Sequence, residues 1–199
     1  MLLPGKVIHQ VYRHSNQSVT PALLNLGYSP NQIQDIQDYC VGHGAFQKGK
    51  SFNLITEEDL LKAGLSQDEV NQIQQSAKGA FDVRHIIPER TLNLFKKDLG
   101  STYDTILERT NTYVCGTMTI EGSPHLKPEH YPIFDCANKC GKNGTRYISP
   151  LGHIRMMSAA QPFLSGAISK TINMPEDSTF QEVSEIYLKS HQLMIKAIA

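Results

Sequence analysis

No charge of either sign predominates in this chain: lysine and arginine number 19, aspartate and glutamate 19, and the formal charge is zero with neutral histidine. A nucleic-acid partner needs a basic surface to displace the counterions of its phosphates, so the composition argues against one. Long apolar runs are missing as well. No stretch approaches the roughly 18 apolar residues that a membrane span requires. The opening Met1-Leu2-Leu3-Pro4-Gly5-Lys6 is broken by proline and glycine too soon for a signal peptide. These absences lead to the expectation of a cytoplasmic chain with no nucleic-acid and no membrane partner. Cysteine is scarce too. Cys40, Cys115, Cys136 and Cys140 are too few and too unevenly spaced for a secreted disulfide framework. At 199 residues the chain is long enough for one domain, or one and a small appendage, with a sizeable core.

Charge thins further in one place. Residues 151–175 (LGHIRMMSAAQPFLSGAISKTINMP) have only His153, Arg155 and Lys170 as potentially charged side chains, yet Gln161, Ser165, Ser169, Thr171 and Asn173 lie among apolar neighbours. A core element would be cleaner and a surface element more charged. Small and amide side chains in such a setting point to close backbone approach or to a polar network in a cleft. A buried helix followed by a buried strand is the plainer reading of the same pattern.

What is present in the first half is a repeat. Leu23-Leu24-Asn25-Leu26-Gly27-Tyr28-Ser29 aligns with Leu60-Leu61-Lys62-Ala63-Gly64-Leu65-Ser66 at an offset of 37 residues, continuing through Ile33/Val70 and Ile36/Ile73. Each copy ends a helix at glycine, which adopts the left-handed C′ conformation cheaply, and restarts at a serine able to cap the next helix. A weaker third copy begins at Leu99-Gly100-Ser101. The spacing predicts stacked helical hairpins over residues 16–110. Such hairpins sometimes grip DNA backbone, but these turns carry no lysine or arginine, and Asp68 and Glu69 follow the second. An interaction surface or structural cap fits better. The glycine-rich stretch 41–51 reads as an ordered loop. Its Gly49-Lys50-Ser51 lacks the glycine spacing of a phosphate loop.

Further along, the pattern predicts a helix beginning near Pro88, another over 102–114, an extended excursion over 116–144, a helix over 154–163, a strand over 167–174, an amphipathic helix over 179–194 and the opening of a strand at 195–199. Helix–strand–helix–strand is the unit of an α/β barrel.

Three phrases in order, residues 111–132 (NTYVCGTMTIEGSPHLKPEHYP), 134–141 (FDCANKCG) and 151–175, closely resemble the C-terminal part of the catalytic domain of adenosylcobalamin-dependent, class II ribonucleotide reductases. The resemblance runs over 16–199, and residues 1–15 match least. It implies a domain order of a poorly matched segment 1–15, a helical-hairpin region 16–110 and a reductase part 111–199. The fold class expected is mainly α with a small β component, the last helix–strand units of a ten-stranded α/β barrel. The expected role is part of a vitamin B12-dependent enzyme that reduces ribonucleotides to deoxyribonucleotides through a cobalamin-initiated thiyl radical. The partners expected are the upstream or remaining barrel and the ribonucleotide substrate. The family's asparagine–proline–cysteine–serine–glutamate motif, its phosphate-binding threonine–glycine–threonine loop and its C-terminal cysteine pair are not found in this sequence. No residue is therefore assigned as a catalyst, and the chain reads as a fragment or one piece of a split enzyme, inactive alone. A free-standing helical-hairpin interaction protein with a structural reductase-like tail is the alternative.

The residues themselves nominate a cavity. His153 and Arg155 at a helix start could meet an anion, or fasten the helix end to a loop. Ser165 and Gly166 precede the expected strand, on which Ser169 and Asn173 are placed on one side and Thr171 on the other. His153, Arg155, Ser165, Gly166, Ser169 and Asn173 are thus the candidate cofactor- or substrate-facing set, with adenosylcobalamin the implied cofactor. Cys136 and Cys140 have C-x3-C spacing, with Cys115, His125 and His130 upstream; a tetrahedral metal site, a redox pair or plain loop and core cysteines all remain open, and no metal ligand is assigned.

Overall fold

A computed structural model describes residues 16–198. The poorly matched segment 1–15 lies outside the described residues, as does Ala199. The chain divides into two compact units, with the boundary between Leu126 and Lys127.

The first unit is three helical hairpins: α1 (Val19–Asn25) with α2 (Pro30–Val41), α3 (Glu57–Lys62) with α4 (Gln67–Ala77), and α5 (Glu89–Leu99) with α6 (Tyr103–Cys115). The first two turns are built as the repeat predicts. Gly27 and Gly64 hold φ of +86° and +87°, and the amides of Tyr28 and Leu65 donate back to the carbonyls of Leu23 and Leu60 at 3.1 and 3.4 Å. Ser29 and Ser66 then cap α2 and α4 through reciprocal boxes with Gln32 and Glu69. The weak third copy is also a hairpin. There Gly100 (φ +52°) opens a 3-10 turn, Gly100–Thr102, and no side chain caps α6.

Helices α3 to α6 turn apolar side chains into one core: Val70, Ile73 and Ala77 from α4, Leu107 and Val114 from α6, with Leu60, Val83 and Phe95 closing it. Fully burying such a side chain is worth roughly 1.5–3 kcal/mol. Two polar side chains inside are satisfied by bonds to other segments. Thr110 Oγ1 accepts the Ile55 amide at 2.8 Å and donates to the Ile106 carbonyl, and Asn111 Oδ1 accepts the Val83 amide at 2.9 Å. The C-termini of α2 and α6 cap each other. The amides of His43 and Gly44 donate to the carbonyls of Tyr113 and Val114, while those of Thr117 and Met118 donate to Tyr39 and Cys40, all at 2.8–3.0 Å. Four carbonyls that a lone helix end leaves orphaned are thereby paired.

The second unit opens with a 3-10 helix, Pro128–Phe134, and a loop strapped at its base. Asp135 accepts two bonds from Arg146, at 2.8 and 2.7 Å, and the Ile148 amide reaches the Cys136 carbonyl at 2.8 Å. Helix α7 (Pro150–Ala160), capped by Ser149, runs into a 3-10 turn, Gln161–Phe163. Helix α8 (Phe180–Gln192), capped by a Thr179–Glu182 box, packs on α7.

Among the described residues there is no β-strand, which corrects the expectation for 167–174 and 195–198. A strand is defined by ladder bonds to a neighbour, and the backbone there has none. Its alternation survives without the ladder. Ala167, Ser169 and Thr171 are exposed, and Ile168, Lys170 and Ile172 half-buried. Thr171 therefore shares its side with Ser169 rather than opposing it, since two residues apart is one full pleat. Helix α8 is equally telling: of its residues Ser190 alone is buried, while Phe180 is 89 % exposed.

Candidate functional site

The 151–175 stretch is built around the inner face of α7. His153, Ile154 and Met157 point inward from the helix, and Gln161 follows one turn later on the same side. His153 is 8 % exposed and Gln161 6 % exposed. Two of their polar atoms, His153 Nε2 and Gln161 Oε1, have no hydrogen-bond partner. Burial holds the His153 imidazole below its ordinary pKa, and the positive charge of Lys170 adds to that.

After the 3-10 turn the chain doubles back. Gln161 Nε2 donates to the Gly166 carbonyl at 2.9 Å. Lys196, from beyond α8, sets its ammonium against the carbonyls of Ser165 (2.8 Å), Leu164 (3.4 Å) and Gly166 (3.5 Å). Ser165 and Gly166 are exposed, with their carbonyls engaged in this way. Ser169 is exposed and Asn173 half-buried further along the same run. Arg155 sits on the outer, solvent face of α7, two residues and so more than half a turn from His153.

Cavities open among the described residues of the second unit. One of about 480 Å³ lies between the start of α7 and α8, with Pro150, Leu151, Pro175, Ile186 and Leu188 on its apolar walls. Another, about 570 Å³, lies beside Asn138, Lys139, Tyr147 and Asp177. None of the six nominated residues lines either one. Sequence reasoning also passed over two residues that organise the site. Gln161 carried a signal, an amide in an apolar run. Lys196 carried none, because its contacts are 30 or more positions away.

The cysteines divide by environment. Cys115 is buried in the first unit's core, and Cys40 donates its thiol to the Thr119 carbonyl at 3.3 Å. Burial pushes the Cys40 pKa up to about 12. Cys136 is exposed and Cys140 half-buried. Among the described residues no three His, Cys, Asp or Glu side chains are grouped to hold a metal ion. No helix among them is long and apolar enough to cross a membrane.

Residues 47–199 match the family described as ribonucleotide reductase, barrel domain. The chain is 41 % identical over 204 residues to a vitamin B12-dependent ribonucleotide reductase of Bradyrhizobium diazoefficiens, covering 92 % of the chain and 16 % of that protein. With the protein of the same description from Agrobacterium fabrum the identity is 42 % over 204 residues, with the same two shares. One from Rhodopirellula baltica is 51 % identical over 113 residues, 57 % of the chain and 11 % of the relative. The chain thus spans about 16 % of the length of the first two relatives it matches.

Proposed function

The chain belongs to the ribonucleotide reductase barrel-domain family, and from that premise we propose that it works as part of a vitamin B12-dependent ribonucleotide reductase. The reaction is the reduction of ribonucleotides to deoxyribonucleotides for DNA synthesis. The observation that carries this reading is the 41 % identity with the Bradyrhizobium enzyme over 92 % of the chain. In this reading the hairpin region 16–110 is a structural and interaction module, and 111–199 is the reductase part.

The exposed apolar side chains of the second unit support a chain completed by more protein. Phe163 is 87 % exposed, and Phe180, Tyr187, Leu188 and Met194 are exposed with it. A self-sufficient unit would leave fewer large apolar groups in water. That observation weighs against the free-standing interaction protein. The remaining barrel is the partner that covers them, and it carries the radical-bearing cysteine. Ser165, Gly166, Ser169 and Asn173 border the cavity so formed, with Arg155 at its rim and His153 supporting from within α7.

Adenosylcobalamin supplies the radical in enzymes of this kind. The described residues do not by themselves form a site for it: the imidazole of His153, on α7 of the second unit, is only 8 % exposed and offers a corrin little surface. Cofactor contacts therefore belong to the completed barrel, and no step is assigned here to a residue of this chain.

The test is complementation. This chain is mixed with the remaining barrel portion of the enzyme, a ribonucleotide, a dithiol reductant and adenosylcobalamin, and deoxyribonucleotide is measured. Product is expected from the mixture and not from either part. Turnover by this chain alone, or none by the mixture, would sink the proposal.

A further inference from the structure

We propose that Lys196 and Gln161 are positioning residues that lock the segment 164–166 into one conformation, presenting Ser165 and Gly166 to the substrate cavity. The inference rests on the cavity reading above, but its structural half can be tested without it.

Three consecutive carbonyls, those of Leu164, Ser165 and Gly166, gather on one ammonium at 3.4, 2.8 and 3.5 Å. In an extended strand successive carbonyls point to opposite edges, so convergence on a point requires the backbone to curl. Because each peptide is planar and trans, the N–H that follows each carbonyl faces away from Lys196. The curl therefore turns the amides of residues 165–167 toward the opposite side. Gln161 secures the curl from the other flank, its buried amide donating to the Gly166 carbonyl at 2.9 Å. The Leu164 amide closes the turn onto the Gln161 carbonyl at 3.1 Å.

Lysine suits this task for a chemical reason. Its ammonium is compact, with three rotatable donors for three oxygens, whereas the arginine fork is planar and fixed. Charge also matters, because a cation gives stronger bonds to carbonyls than a neutral donor does. The contact joins residues 30 to 32 positions apart, so it forms only when the end of α8 returns to the α7 turn.

The test uses isotope-labelled chain and backbone NMR. Lys196→Met should lower the order parameters of residues 165–167 from about 0.85 to below about 0.6, and shift the Leu164 and Ser165 carbonyl resonances, leaving α7 unchanged. Ethylammonium added to Lys196→Ala should restore part of the order, and Lys196→Arg should not. Gln161→Asn, which keeps the amide but shortens its reach, should loosen Gly166 in the same way. Unchanged order in Lys196→Met, or full order in Lys196→Arg, would overturn the clamp. In the completed enzyme Lys196→Met should raise the ribonucleotide KM about tenfold with kcat within about twofold, the signature of lost positioning. A loosened segment with unchanged kinetics would refute the positioning role and leave the reductase reading intact. An inactive unsubstituted mixture would refute the reductase reading and leave the clamp to stand on the NMR result.

Discussion

Gly42 and Gly116 sit where the ends of α2 and α6 cross, and a side chain on either would run into backbone. A Cβ on Gly42 would collide with the Gly116 amide and the Val114 carbonyl, and one on Gly116 with the Cys40 carbonyl and the Gly42 amide. Both also hold positive φ, +69° and +71°. Gly27, by contrast, has open space around it and only its φ to satisfy. Gly116→Ala should therefore cost about 3 kcal/mol, and Gly27→Ala about 1 kcal/mol, the left-handed penalty alone. Urea unfolding of the two variants measures the difference, and equal costs would contradict the close approach. His153 carries the second residue-scale expectation. Its folded pKa lies below the ordinary histidine value of 6.5, so the unfolded chain takes up the proton first as pH falls. The second unit's stability is thus complete above about pH 6.5 and declines below it, toward the folded pKa. His153→Gln should flatten that part of the stability–pH curve, and denaturant midpoints collected between pH 7 and 5 will reveal whether it does.

Elements in this protein are started by caps and finished by packing, in different proportions. Helices α2 and α4 have both a serine box and a buried apolar stripe. Ser29→Ala and Ser66→Ala should each cost about 1 kcal/mol, seen as lowered urea midpoints. Helix α8 has the box but little burial, with Val183 and Ile186 only half covered. The Thr179 amide and hydroxyl hold the Glu182 carboxyl below its usual pKa. Because short helices are marginal without packing, Thr179→Ala should melt the first turn of α8 outright while α7 persists. Amide exchange over residues 180–183, faster in the variant with α7 unmoved, is the expected observation.

For the whole molecule, most of the exposed large apolar side chains among the described residues fall in the second unit, Phe163 and Phe180 included. The chain alone should bind an apolar dye and self-associate, and Phe163→Asp with Phe180→Asp should reduce dye fluorescence severalfold. Adding the remaining barrel portion should quench the same signal as it covers these side chains. Size-exclusion chromatography with dye titration reads both effects. A monomeric chain that binds no dye would mean these groups need no cover. The first unit, whose apolar stripes meet in its own core, should unfold cooperatively whether or not the rest is present.

The sequence by itself determined whatever depends on neighbours close along the chain. The hairpin glycines, the serine caps and the inward stripes of α2 and α4 are readable because turn chemistry and helical period act within a few residues. The weaker third copy was legible at Leu99-Gly100-Ser101, and a further signal went unused: Gly42, Gly79 and Gly116 stand 37 residues apart, a spacing that extends the repeat to the end of α6. The three phrases that resemble the reductases were equally visible, and the family match bears them out. Only the tertiary structure decided the rest. Residues 167–174 alternate like a strand but have no ladder, because pairing is supplied by another segment and not by the pattern. Arg155 and His153, two positions apart, were separated into water and core by the helix turning between them. Lys196 found the carbonyls of 164–166, and α2 found α6, through contacts spanning 30 to 80 residues, and closing loops of that length is a cost met by the fold as a whole.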